Sequence, residues 1–163
     1  SEVVAKVAEI GENIIVSRNV RFSLAGYGAV HSYIHLGGKI GVLVEVGCEQ
    51  AATAGSDKFV ELVKDVAMQV AAAFPKYLDP SCVPEAEVAA EKEIYAAQVK
   101  NKPPQIVGKI VEGKLKKYYS EVCLINQVFV KDSDITIMAL LDTVGKGLGD
   151  KLSIRRFARY QIG

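Results

Sequence analysis

His31 and His35, the only histidines, and Cys48, Cys82 and Cys123, the only cysteines, are the side chains best suited to metal binding or nucleophilic chemistry. On a strand, residues four apart share a face but stand about 13 Å apart at a rise of ~3.3 Å per residue. The two histidines therefore cannot hold one ion, and no third ligand accompanies them, so no metal site is expected. Cys48 closes the strand beside the histidines and could pair with one on paper. No local signature of a cysteine nucleophile surrounds it, and a buried structural thiol is expected instead. Gly145-Lys146-Gly147-Leu148-Gly149-Asp150-Lys151 has the residue types of a phosphate loop but not the GxxxxGK[ST] spacing. It ends a helix and reads as a C-cap. Glu91 and Glu93 lie two apart on a solvated helix and face different ways. Nothing assembles into a catalytic, cofactor-binding or metal site, so the expectation is a protein that is not an enzyme and takes no cofactor.

What remains is recognition of a partner by shape. Twenty Lys and Arg against nineteen Asp and Glu leave a net charge of +1 in 163 residues, too little to hold nucleic acid or an anionic membrane through a global field. The longest apolar runs, such as Ile40 to Val44, fall far short of a membrane span of ~20 residues. The first residues lack the basic and apolar regions of a signal peptide, so a reducing, cytoplasmic compartment is expected, with free thiols.

The periodicities place these residues on elements. Val3, Val4, Val7 and Ile10 have helical spacing and stop at Gly11. From Ile14 to Leu24 the period becomes two, which predicts a half-buried strand. Gly26-Tyr27-Gly28 turns the chain into a second strand with Val30, Ile34 and Leu36 on the core face and His31, Tyr33 and His35 on the opposite one. Gly37-Gly38 predicts a hairpin turn, and Ile40, Val42, Val44 and Val46 the inner face of a third strand, giving an antiparallel meander. Residues 50–55 read as a linker. Phe59, Val63, Val66, Val70 and Phe74 predict a long covering helix closed by Pro75. Helices over about 85–99 and 105–123, joined by the short Lys100 to Pro104 connector, must run antiparallel. This hairpin is expected to project. An extended stretch over 124–130, a helix through Ile137, Leu141, Val144 and Leu148, and a period-two segment over 152–162 complete the chain.

Residues 10–22 and 148–160 superimpose without a gap, each reading as helix end, Gly, acidic residue and strand, with Ile14 matching Leu152, Arg18 matching Arg156 and Phe22 matching Tyr160. The expected class is α+β: antiparallel sheets packed on helices, in two pseudo-repeated subdomains with an inserted antiparallel helical hairpin at about 85–123. Residues 1–26 would be the remnant of the first subdomain, and 27–163 the second.

Segments along the whole chain resemble bacterial translation elongation factor Ts. They include Tyr33-Ile-His-Leu-Gly-Gly-Lys-Ile-Gly-Val-Leu-Val-Glu45, Leu62-Val-Lys-Asp-Val-Ala-Met-Gln-Val-Ala-Ala71, Ile110-Val-Glu-Gly-Lys-Leu-Lys-Lys117, Phe129-Val-Lys-Asp132 and Arg155-Arg-Phe-Ala-Arg-Tyr160. The resemblance implies a nucleotide-exchange factor that binds the GTPase elongation factor Tu and promotes GDP release, without itself holding nucleotide. It implies contacts to the GTPase by the turn after the Tyr-x-His strand and by the Phe-Val segment, which by position are His35, Gly37, Gly38, Phe129, Val130 and Lys131. The family's Thr-Asp-Phe-Val signature is absent, since Cys48-Glu49 runs into Gln50-Ala-Ala-Thr-Ala54, and no N-terminal docking module precedes Ser1. A fragment of a longer factor is expected on that comparison. Two alternatives are a structural dimerisation module, with a homodimer as its product, and an RNA-binding domain using Arg18, Arg21, Arg155, Arg156 and Arg159.

Overall fold

The computed structural model describes residues 1–99 and 101–162, so Lys100 of the expected connector lies outside the described residues. In chain order the elements are α1 (Glu2–Ile10), β1 (Gly28–His35), β2 (Ile40–Gly47), α2 (Ala51–Ala54), α3 (Asp57–Ala73), α4 (Glu85–Gln98), α5 (Pro104–Val122), β3 (Val128–Phe129), β4 (Asp132–Thr136), α6 (Ile137–Leu148) and β5 (Ser153–Gln161). The class is α+β, with an antiparallel sheet ordered β1-β2-β5 and a separate β3-β4 ribbon. No described helix is long and apolar enough to cross a membrane.

The core lies between the sheet and α3. Ser56 caps α3 by accepting a hydrogen bond from the Phe59 amide at 3.3 Å. The helical stripe Phe59, Val63, Val66 and Val70 is buried against Ile40, Val42, Val44 and Val46 of β2. Leu124, Ile137 and Leu141 close the other side. Burying each such side chain contributes about 1.5–3 kcal/mol, so this stripe fixes which way the helix lies.

Three expectations are corrected. The stretch from Ile14 to Leu24 is not a strand of the sheet: residues 12–25 form no ladder, and β5 occupies the third position. With β1 and β5 on its two sides, β2 has no ladder edge left. The stretch instead crosses the outer face of the sheet, where Arg18 stacks over Tyr160 at 4.6 Å and Arg156 over Phe22 at 4.3 Å. The meander is accordingly a β1–β2 hairpin completed by the distant β5.

The faces of β1 are also reversed. Tyr33 pairs with Val42 and His31 with Val44, so the odd residues share the core face and Ile34 looks outward, where it is exposed. Both faces of β1 carry apolar residues, and periodicity alone could not choose between them. Lastly, two elements appear where linker or plain extension was expected: α2, and the β3–β4 ribbon. The matched helix ends do correspond, since Gly11 (φ 76°) and Gly149 (φ 64°) both cap their helices in the left-handed conformation.

The α4–α5 hairpin forms as expected, and α4 buries no residue completely. Its base is another matter. Tyr118, Val122 and Cys123 are buried with Val83 in a second small core. The Lys76 and Tyr77 amides donate to the Val122 carbonyl at 2.9 and 3.0 Å. Glu87 accepts from the hydroxyls of both Tyr77 (2.6 Å) and Tyr118, tying α4 to α5 and to the preceding loop. The removable part therefore ends short of Tyr118. Replacing residues 89–114 with a short Gly/Ser linker is expected to leave the sheet's thermal transition nearly unchanged, because loop-closure entropy varies slowly with length. Removing all of 85–123 is expected to abolish cooperative melting, and calorimetry of the two deletions compares them.

Candidate partner-binding surface

The turn joining β1 and β2 is built from Leu36, Gly37 and Gly38, all with positive φ (52°, 63° and 97°), and the Lys39 amide donates back to the Leu36 carbonyl at 3.4 Å. The two glycines adopt positive φ without a Cβ clash, and space above them is open. His35 precedes this turn and is exposed. It shares the core face of the strand with Tyr33, yet its side chain is exposed while its ladder partner Ile40 is buried. The two rings stack at 5.7 Å, and the Tyr33 hydroxyl lies 3.1 Å from His35 Nδ1.

The second expected patch runs beside α3. Gln69, wholly buried, accepts from the Val130 amide through Oε1 at 2.9 Å and donates through Nε2 to the Val128 carbonyl at 3.1 Å and to Gln127 Oε1 at 3.3 Å. Gln127 in turn donates to the carbonyls of Ala73 (3.2 Å) and Glu121 (2.9 Å). One helical turn before Gln69, Asp65 pairs with Lys131 at 2.6 Å, and that carboxylate holds the lysine's pKa above its ordinary value. Val130 and Lys131 are thus displayed on a fixed backbone. Phe129 is not displayed: it is 6% exposed and packs in the main core, so its ring anchors the ribbon from inside. The periodicity of α3 gave no reason to single out Gln69. A lone glutamine beside Val66 and Val70 on a buried stripe was the available signal.

The remaining candidates separate clearly. Cys48 is buried, its thiol donates to the Gln50 carbonyl at 3.4 Å, and burial pushes its pKa up, which suits a structural thiol. Burial likewise pushes Cys123 up to about 11. No group of three or more described His, Cys, Asp or Glu residues is placed to hold a metal ion. Of the arginines considered for RNA, Arg155 and Arg156 bind Glu45 at 3.2 and 2.7 Å. Arg155 also donates to the Ala25 and Tyr27 carbonyls, and Arg156 to Ser23. Arg159 donates twice to the Ala71 carbonyl at 3.3 Å. Their engagement within the fold weighs against a phosphate-binding patch. Where the Thr-Asp-Phe-Val signature would stand, Ala51–Ala54 form α2, whose start is held by Asp150 accepting from the Glu49 and Gln50 amides at 3.1 Å.

These features define an α+β domain with an inserted helical hairpin, an exposed glycine turn and a ribbon fixed along its main helix. The chain belongs to the elongation factor Ts family, whose description, Elongation factor TS, matches residues 1–163. It is 49% identical to the elongation factor Ts of Syntrophus aciditrophicus (strain SB) over 138 residues, which is 83% of this chain and 69% of that protein. Identity is 45% over 159 residues with that of Trichlorobacter lovleyi and 47% over 161 residues with that of Clostridium novyi (strain NT), covering 51% of each of those proteins. The chain therefore spans between about half and about two thirds of the length of these curated relatives.

Proposed function

We propose that this chain is the part of an elongation factor Ts that docks on the GTPase elongation factor Tu in the cytoplasm and, with the rest of the longer protein, promotes release of GDP. The reading is carried by the family match along residues 1–163. The mechanism is coupling: a surface that binds the nucleotide-free GTPase more tightly than the GDP-bound form must weaken GDP by the same factor. No covalent bond changes, no cofactor takes part, and this chain itself never holds the nucleotide. The docking surface is His35, Gly37 and Gly38 of the turn together with Val130 and Lys131, with Phe129 supporting the ribbon from the core. Residues 1–26 belong to a first subdomain and the rest to a second.

Fluorescent GDP release and a binding titration with elongation factor Tu test this. The chain is expected to bind and to accelerate release, and to do so less than a relative carrying Thr-Asp-Phe-Val. His35→Ala is expected to change stability by no more than about 0.5 kcal/mol, as for an exposed side chain, and to weaken association by about 1 kcal/mol or more. Absence of any binding by the unaltered chain would remove the reading.

Self-association is the second reading. Ile15, Val16 and Ile162 are exposed around a cavity of about 490 Å³ between the crossing segment and the sheet. Sedimentation of the chain alone separates a dimer held through this face from a monomer.

A further inference from the structure

Two described residues other than glycine have positive φ, Leu36 (52°) and Phe74 (50°). Such backbone is costly for a bulky residue and persists where the surroundings or a function require it. Here both are large apolar side chains left in solvent, 61% and 57% exposed. Neither conformation is explained by burial. Leu36 begins the β1–β2 turn, and Phe74 ends α3 immediately before Pro75.

The sheet places the two at the same end of the molecule. Tyr33, Val42 and Arg159 form one row across β1, β2 and β5. At ~4.8 Å per strand the row is about 10 Å wide. Arg159 is fixed by the Ala71 carbonyl and by Gln161 Oε1 at 3.1 Å, and its guanidinium lies 4.2 Å from the centre of the Phe74 ring. At the other end of the row the Tyr33–His35 stack leads into Leu36. Segments 33–41, 72–77 and 157–162, which build this end, contain Lys39, Lys76 and Arg159 but no Asp or Glu.

We infer that Leu36 and Phe74, with Arg159 between them, are the apolar anchors of the GTPase-docking surface, fitting a partner face with apolar pockets edged by carboxylates. This rests on the proposed docking of the adjoining turn, and extends that surface across the sheet to the end of α3. Aromatic and arginine side chains are the types that dominate interface energetics, and a preset backbone lowers the ordering cost of binding.

The test uses Leu36→Asn and Phe74→Asn, singly and together. Asparagine tolerates the left-handed region better than leucine or phenylalanine, so the melting temperature is expected to hold or rise. Affinity for nucleotide-free elongation factor Tu is expected to fall by about tenfold in the double variant, on the scale of lost interface anchors. Unchanged affinity in variants of a chain that does bind would overturn the anchor assignment alone. Failure of the unaltered chain to bind would remove the docking reading and this inference with it. A fall in melting temperature matching the affinity loss would make the two residues structural. Conversion of a dimer to a monomer by the same changes, with GTPase binding intact, would assign the patch to a second copy and overturn the inference.

Discussion

Glu45→Ala is expected to lower stability by about 2–3 kcal/mol, at or just below the ~3–5 kcal/mol lost when one partner of a fully buried ion pair is removed. Glu45 is 2% exposed on the outer face of the central strand, where Arg155 and Arg156 hold its two carboxylate oxygens. The arginine side chains are 31% and 46% exposed, so part of their charge is resolvated once the carboxylate is gone. The same guanidinium groups grip the carbonyls of Ser23, Ala25 and Tyr27. The variant is therefore expected to release residues 12–25 from the sheet, seen as faster proteolysis there before global unfolding. Burial works to raise the Glu45 pKa, but hydrogen bonds and charge from Arg156 and Arg155 outweigh it and leave it below the ordinary 4.5. A depressed folded-state pKa gives stability that is fully present above the unfolded value and is lost as pH falls through the folded one. The gap in melting temperature between the unaltered chain and Glu45→Gln should accordingly narrow as pH drops below 4.5.

Gln69→Leu is expected to cost about 2–3 kcal/mol, because a buried polar group left without a partner costs about 1–3 kcal/mol, while the backbone groups of the half-exposed Val128 and Val130 can turn in part to water. The Val130 amide, the Val128 carbonyl and Gln127 Oε1 would all lose the bond that Gln69 provides. Leucine fits the apolar surroundings, so the core should still assemble, while the β3–β4 ribbon loses its register against α3. Amide exchange at Val130 should accelerate by more than the global loss of stability accounts for. On the proposed function, affinity for elongation factor Tu should fall as well. Equal exchange rates before and after the change, under conditions where the fold is intact, would show that the ribbon is held by Phe129 packing instead.

The long helices were legible because Phe59, Val63, Val66 and Val70 repeat at 3.6 residues and the chain offers Ser56 at one end and Pro75 at the other. The β1–β2 hairpin was legible through Gly37 and Gly38. What periodicity could not carry was the choice between two plausible apolar faces in β1, or the difference between an extended segment that joins a ladder and one that crosses over it. Residues 14–24 have a strand's alternation, yet Arg18, Phe22 and the grip of Arg155 and Arg156 decide their place, and those partners lie at the far end of the chain. The candidate surface divides in the same way. The turn glycines could be placed from local spacing, but the strand's alternation put His35 on the wrong face, and the burial of Phe129 and the role of Gln69 depend on packing between α3 and the ribbon.

The position of β5 also governs how the fold can form. Glu45 meets Arg156 across 111 positions of sequence, and every residue of the α4–α5 hairpin lies within that interval. Local contacts can assemble the β1–β2 hairpin and the individual helices early, but the third strand must be brought in from a great distance. Topologies with such separations fold slowly for their size, since the entropy of closing the loop is lost before the ladder compensates it. A pre-formed α4–α5 hairpin shortens that loop in effect, because two antiparallel helices return the chain to where it left. The helical hairpin then bears on folding kinetics, acting before any partner is met.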